Sequence, residues 1–421
     1  MRNQNQIVLD PPKVRGGNKI YCHFKCSGKV SKYFNENNFY MKLNANVDSV
    51  PQSILIIPAL SNICPVAWIT GADIYVEEID QEFLEALNTV KNHFRSYIDQ
   101  EFLEALNTVK KSFQKLYPKH SFKGDIKYKK IKKNKGYGKK KSGLFFSGGV
   151  DSMASYIRKR HEKPYLLTVR GADIPLSETE GWRKVKSNNK QFAKKNGLYP
   201  LFIQSNLRSF LNESSLNKSY SKHGLKGWWG GIQHGLGTVG LSAPLAFIKG
   251  MNRIYFASSP GIISVDNYLR FTPEPEGSHP SIENNLKWGT TKVALESMDL
   301  NRLEKIGIIA RYIKKNDPNL QLRVCWESKK GSNCGKCEKC TRTMASILSE
   351  GLNPSNHGFR MNKNLLKSLK NNKKLFTRLN KNKEFQWKSI QRKLGKIILD
   401  KNSEYYDFRQ WILKTYFHNK S

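Results

Sequence analysis

Long apolar runs are missing from this chain. Stretches such as Ile54-Leu-Ile-Ile-Pro-Ala-Leu60 are far too short to span a bilayer. No apolar run follows a basic start in MRNQNQIVLDPPKVRGG, so no secretory leader is expected. No Walker GxxxxGK[ST] sequence occurs, which excludes an ordinary P-loop NTPase. Acidic residues are scarce: 34 Asp and Glu face 72 Lys and Arg, for a formal charge of +38 over 421 residues. The chain is not poor in apolar side chains, at 38% hydrophobic and 11% aromatic, so disorder is excluded and two or three domains have room to form. A soluble cytoplasmic protein with no membrane contact is expected. Its charge fits an anionic partner (RNA or an acidic protein) or a Lys- and Asn-rich compositional bias, and it leaves a homodimer open.

Four segments stand out. Residues 1–122 read as an N-terminal α+β domain. Ile20–Cys26 and Phe39–Leu43 alternate like strands with one buried face. Cys22 and Cys26 share such a face and read as core thiols. The stretch Ile79–Lys91 recurs letter for letter as Ile98–Lys110. Each copy reads as a helix capped by Asp80 or Asp99. The 19-residue offset turns the second apolar face by roughly 100°, which predicts a break near Arg95-Ser-Tyr97. Residues 123–142 read as an exposed connector, with ten Lys between Lys123 and Lys141. Residues 143–352 alternate strand-like runs (Leu144–Phe146, Tyr165–Val169, Leu198–Ile203, Arg253–Ala257) with helical segments (Met153–Arg160, Trp182–Asn196, Leu236–Lys249). That is the pattern of βαβ units on a parallel sheet. Residues 353–421 read as basic amphipathic helices carrying Leu365, Leu366, Leu369, Trp411, Ile412 and Tyr416.

Ser147-Gly-Gly-Val-Asp-Ser152 follows the first of these strands and opens a helix. Gly148 and Gly149 let the backbone turn tightly against an anion, and the amides from Val150 onward point at it. The hydroxyls of Ser147 and Ser152 add donors, and Asp151 is placed to hold Mg²⁺ or orient the loop. The alternative is a chance Gly-Ser turn in a Rossmann-like domain. In Thr168-Val-Arg-Gly-Ala-Asp173 the chain leaves the second strand, where ligands bind in doubly wound sheets. There Arg170 is a candidate for phosphate and Asp173 for adenosine, against an ordinary exposed loop. Ser205 and Asn206 close the third strand in the same way.

The SGGVDS stretch resembles the PP-loop of the ATP pyrophosphatase superfamily, which includes ATP-dependent amidotransferases, NAD synthetase and tRNA-thiolating enzymes. The resemblance implies a Rossmann-like (adenine nucleotide alpha hydrolase-like) parallel sheet with helices on both faces. It also implies cleavage of ATP to AMP and pyrophosphate through an adenylylated substrate. Catalytic work falls on Ser147, Asp151 and Ser152.

Cys325-x8-Cys334-x2-Cys337-x2-Cys340 sets four of the seven cysteines within sixteen residues. This spacing fits a structural tetrahedral Zn²⁺, with an iron–sulfur cluster as the alternative. Gly331 and Gly335 supply turns. The stretch CWESKKGSNCGKCEKCTRT, with Arg342 behind the last cysteine, resembles the zinc motif of 7-cyano-7-deazaguanine synthase. With SGGVDS ahead of it, the resemblance covers residues 143 to 350 or so. Two departures mark a divergent relative. About 140 residues precede the phosphate loop, and the middle carries Gly230–Gly235 and Glu274–Pro280 instead of that family's base-binding segment.

Trp228, Trp229, Gln233 and His234 precede an apolar helix, and Glu276, Ser278 and His279 follow the fourth strand. Both groups are candidates for substrate contact, and either His for acid or base work. The alternatives are core packing for the tryptophans and structural hydrogen bonds for the histidines. The leading expectation is an ATP-dependent ligase. It adenylylates a carboxylate, amide or nucleobase-like substrate, which ammonia or an amine then attacks. No glutaminase nucleophile is in evidence. A tRNA-thiolating enzyme and a non-enzymatic basic zinc protein binding nucleic acid are the alternatives.

Overall fold

The computed structural model describes residues 5–76, 97–134, 140–258, 261–265, 268–272, 277–328, 330–372, 374–377 and 379–417. A strand covered on both faces needs apolar residues at consecutive positions rather than alternate ones. Lys141–Phe145 is of that kind, with Ser142, Gly143, Leu144 and Phe145 all buried. It lies inside a mixed sheet of twelve strands. Tyr165–Arg170 pairs with it in parallel on one side and Met251–Ala257 on the other. Pro200–Ser205 and Thr291–Glu296 extend the parallel set outward. Numbered along the chain, these five strands stand in the order 3-2-1-4-5, and the direction of winding reverses between the first and the fourth.

The N-terminal segment continues this sheet instead of building its own. Asn38–Leu43 pairs antiparallel with the third strand, and Lys19–Ser27 pairs antiparallel with Asn38–Leu43. Gln6–Leu9, Asp73–Val76 and Ile126–Tyr128 follow toward the edge. Cys22 and Cys26 lie on one face of Lys19–Ser27, with Cys22 buried and Cys26 half-buried. Burial pushes both thiols up to about 12, as suits core residues.

Side chains alternate between two cores along each central strand. Leu144, Phe146, Leu166 and Tyr255 face one core with the helices Val150–Lys159, Arg302–Lys315 and Glu338–Ser349. Phe145, Leu167, Ile254 and Phe256 face the other, which also holds Ile7, Phe24, Ile63 and Phe113 from the N-terminal segment. The helix Ile57–Thr70 is buried along nearly its whole length and carries Pro65 inside it. Such a helix has no amphipathic period.

Several expectations shift in detail. The connector holds two short strands. Ile126–Tyr128 is at the sheet edge, where Lys127 suits an edge strand, and Lys130–Lys132 pairs in parallel with Tyr97–Asp99. The first repeat copy and the break at residues 95 and 96 lie outside the described residues. In the second copy the helix Gln100–Leu116 starts directly after Asp99 and buries Phe102, Leu103, Leu106 and Val109. The helix expected over 236–249 is two, His234–Gly240 and Ala243–Lys249, entered through a π-helical turn at Trp229–Gln233. The basic C-terminal helices Lys363–Asn371, Lys381–Gly395 and Tyr406–Lys414 bury Leu366, Leu369, Trp387, Ile390 and Ile412 in the core that holds Leu144 and Phe146. Leu365 and Trp411 are partly buried there, and Tyr416 is exposed. No helix among the described residues is long and apolar enough to cross a membrane.

Glu283 is wholly buried against Gly235, where a Cβ would stand 1.5 Å from its Oε1. Its Oε2 accepts the His279 N–H at 2.7 Å. Burial pushes the carboxyl up to about 8. A carboxyl raised on folding favours the folded state at acid pH and loses that contribution as pH climbs toward the raised value. Glu283→Gln is therefore expected to match wild type in melting temperature near pH 5 and to exceed it by several degrees near pH 8. Parallel melting curves across that range would refute the buried acid.

Candidate functional site

Ser147, Gly148 and Gly149 join the first strand to the helix Val150–Lys159. Gly148 takes a φ of 76°, which a residue with a Cβ rarely adopts. Gly149 is extended, so Val150 to Ser152 form the first helical turn. The two hydroxyls fold the loop on itself. Ser147 Oγ and Ser152 Oγ lie 3.2 Å apart, the Ser147 N–H donates to Ser152 Oγ and the Gly149 N–H to Ser147 Oγ, both at 3.3 Å. The Gly148 carbonyl accepts the Arg323 N–H at 2.9 Å. The loop thus leans on a segment some 175 residues downstream.

Asp151 projects from that first turn into a cluster of cations. Its Oδ2 meets Arg302 Nη1 at 3.2 Å, and its Oδ1 meets Lys305 Nζ at 3.1 Å. Both cations sit on the helix Arg302–Lys315, whose start is fixed by a capping box between Asn301 and Glu304. The Lys305 side chain has no exposed surface, and its ammonium also donates to the Ser258 carbonyl beyond the fourth strand. Burial draws the Lys305 pKa below its ordinary value, and Asp151 opposes that shift. Arg302 Nη2 donates to Thr343 Oγ1 at 3.3 Å, which brings the helix Glu338–Ser349 alongside. Lys339 on that helix is likewise drawn down by burial and by repulsion from Arg302, with Asp151 and Asp173 opposing. Arg323 is drawn down by burial against attraction from Asp173. Arg342 pairs with Glu338 Oε1 at 2.8 Å. Arg302 and Lys305 hold Asp151 by direct contact, and Lys339 and Arg342 also feel its charge, so buried cations outnumber carboxylates around the start of the helix Val150–Lys159. Such a surplus of positive charge at a helix N-terminus favours an anion.

A second group of candidate residues is aromatic. His234 lies against Trp229 and Phe256, with ring centroids 5.2 and 5.4 Å away, and Phe256 in turn meets Phe145 at 5.4 Å. The Arg208 guanidinium stands over Trp229 at 4.7 Å, pinned by Glu213 through two bonds of 2.6 and 2.7 Å. Burial draws the His234 pKa down, while Asp173 pulls the other way and Lys339 and Arg208 add to the fall. Burial thus biases the His234 ring toward its neutral form.

The sequence candidates separate into two groups. Ser147, Gly148, Gly149, Val150, Asp151 and Ser152 form one loop and helix start, while Trp229 and His234 pack together and His234 feels the charge of Asp173. Arg170 is engaged at the turn after its own strand. Its guanidinium donates to the Leu176 carbonyl, Thr179 Oγ1 and Gln204 Oε1, so it shapes the turn after its strand. Trp228 and Gln233 are buried, Gln233 donating to Asn62 Oδ1 and the Leu207 carbonyl. Ser205 and Asn206 fasten the third strand to Tyr40 and Asn38. His279 caps the short helix Pro280–Glu283, accepting the Ser281 N–H at 3.1 Å. Glu276 lies outside the described residues. Arg302, Lys305 and Lys339 escaped the sequence reading, because nothing local distinguishes them among so many lysines and arginines. The Asn301-x-x-Glu304 capping pattern alone marked the helix that delivers two of them.

The four cysteine sulfurs all lie within 4.8 Å of one another. Two pairs are 4.0 and 3.9 Å apart, close to the ~3.8 Å edge of a tetrahedron with 2.3 Å Zn–S bonds. Backbone N–H groups of Ser328, Cys337 and Cys340 point at the sulfurs of Cys325, Cys334 and Cys337 at 3.2, 3.3 and 3.4 Å. Hydrogen bonds from its neighbours hold the Cys325 thiol well below its usual range, and the same contact pushes Cys337 up to about 12. A dication resolves that conflict by letting all four ionise together. The cluster can thus hold a metal such as zinc.

Compared with known proteins, the chain matches no family model and no curated protein.

The protein is expected to carry one zinc per chain, and Co²⁺ in its place should give the absorption of a tetrahedral thiolate site. Cys337→Ser is expected to bind zinc at least tenfold more weakly and to melt at lower temperature. A full equivalent retained by that variant would rule out the four-cysteine site.

Proposed function

We propose that this protein is an ATP-dependent ligase of the PP-loop ATP pyrophosphatase class, built on a Rossmann-like sheet. The observation that carries the reading is the position of the SGGVDS loop. It ends the first strand of a 3-2-1-4-5 parallel set, beside the reversal between first and fourth strands, with buried cations converging on it. Doubly wound sheets bind ligands at that crevice, outside the carboxyl ends of their strands. An excess of buried cations there suits an oligophosphate.

In the proposed reaction a carboxylate or amide oxygen of the substrate attacks the α-phosphorus of ATP. The bond from that phosphorus to the bridging oxygen breaks, and pyrophosphate leaves with the electron pair. The amides of the phosphate loop and the Ser147 hydroxyl hold the phosphates, while Arg302 and Lys305 balance the charge gathering on the leaving group. Mg²⁺, which this chemistry ordinarily employs to shield phosphate charge, would sit at Asp151 once that carboxylate exchanges a cation contact. In the second step ammonia or an amine attacks the activated carbon, AMP leaves, and the nitrogen sheds a proton. In this reading His234 would take it.

Pyrophosphate release from ATP and Mg²⁺ tests the reading against a panel of 7-carboxy-7-deazaguanine, small carboxylates with ammonia, and bulk tRNA. Release that depends on one member and falls at least a hundredfold in Asp151→Ala supports it. Absence of ATP binding would end it in favour of a basic binding protein. Because burial lowers the His234 pKa, the acid limb of the rate profile should fall below pH 6.5, and His234→Gln should flatten that limb. An unchanged limb in the variant would remove His234 from the proton transfer.

A further inference from the structure

Residues 322–325 belong to neither sheet nor helix, yet they carry the backbone that touches the phosphate loop. The Arg323 N–H donates to the Gly148 carbonyl at 2.9 Å, and the Arg323 carbonyl stands 3.2 Å from where a Gly149 Cβ would lie. A segment outside regular structure needs another source of rigidity. One side chain supplies most of it. Asn333 Oδ1 accepts the N–H groups of Val324 at 2.9 Å and Cys325 at 3.2 Å. Its Nδ2 donates to the carbonyls of Leu322 at 2.8 Å and Gly358 at 2.9 Å. Two acceptor and two donor contacts use the full capacity of a carboxamide. They bracket Arg323 on both sides.

The same side chain is tied to the metal centre from both ends. It grips the N–H of Cys325, and its own backbone leads directly into Cys334. Both cysteines belong to the four-sulfur cluster. The order of contacts is continuous: metal ligands, Asn333, residues 322–325, Gly148 and Gly149. We propose that Asn333 is a positioning residue that couples the metal centre to the phosphate loop, so that metal occupancy sets the loop's grip on anions. The coupling itself rests on geometry alone, whereas its consequence for phosphate rests on the function proposed above. Without metal, Cys325 and Cys334 lose their common anchor. Asn333 then no longer holds residues 322–325 in register, and Gly148 loses its partner.

The experiment compares metal-loaded full-length wild type, wild type stripped with a chelator, and metal-loaded Asn333→Ala. Amide hydrogen exchange is read over residues 144–153 and 320–325, with residues 19–27 in the N-terminal strand as internal reference. Stripping the metal should speed exchange in the first two segments at least tenfold and leave the reference unchanged. Asn333→Ala should do the same while still holding one metal per chain. Pyrophosphate affinity should fall about tenfold in both. Unchanged exchange over 144–153 after complete metal loss would overturn the coupling. If Asn333→Ala fails to fold, the stripped wild type decides alone. If metal-loaded wild type binds no pyrophosphate, the ATP reading fails, while the exchange rates still judge the coupling.

Discussion

Asp151 and the two cations it holds set the terms for the rest of the molecule. An ammonium with no exposed surface, like that of Lys305, costs several kcal/mol to desolvate unless a charge and further acceptors meet it. Asp151 supplies the charge and the Ser258 carbonyl an acceptor. These partners arrive from three elements: the helix Val150–Lys159, the end of the fourth strand, and the helix Arg302–Lys315. They meet only if the first and fourth strands are neighbours and the two helices share one face. The ion cluster and the strand order are therefore one constraint seen from two sides.

That face is also where the C-terminal half of the chain is spent. The helices Glu338–Ser349 and Lys381–Gly395 meet through Trp387, whose indole N–H donates to Glu338 Oε1 at 3.0 Å, and Glu338 in turn pairs with Arg342. A buried indole thus steadies a residue of the cationic pocket from behind. The N-terminal segment works on the opposite face. Asn62, inside the buried helix Ile57–Thr70, donates to the Gly237 carbonyl at 3.1 Å and accepts from Gln233 at 2.8 Å. Those contacts hold the π-helical turn that presents Trp229 and His234. π-Helical turns carry a strained hydrogen-bond pattern and persist where surrounding contacts fix them.

Much of this was legible in sequence for identifiable reasons. Four of the five parallel strands are apolar runs, because strands covered on both faces must be. The SGGVDS loop and the cysteine cluster are local motifs, recognisable from adjacent residues even though Arg323 also fastens the loop from afar. The fifth strand, Thr291–Glu296, was not seen, since its lysine and partly exposed positions dilute the apolar run. The helix Ile57–Thr70 has no polar face to give it a period, and its Pro65 argues locally against a helix. The lysine-rich connector looked solvent-bound, but an edge strand tolerates lysine on its open side. The cations of the pocket were invisible for a different reason. Arg302 and Lys305 gain their meaning only from Asp151, some 150 positions earlier, and no local pattern encodes that distance.

The site is accordingly assembled from both ends of a long sequence interval. Its loop amides come from residues 147–152, and its cations come from residues 302–342. Closing so large a loop is an entropic cost paid before any contact in the pocket forms. The four thiols stand within 4.8 Å of one another and could hold a metal, and binding one would tie the order of the late segment to its occupancy. A backbone bond at Gly148 joins that segment to the early one. The cysteine cluster and the loop at residues 147–149 are therefore linked through one backbone contact, so that each bears on how the other is held.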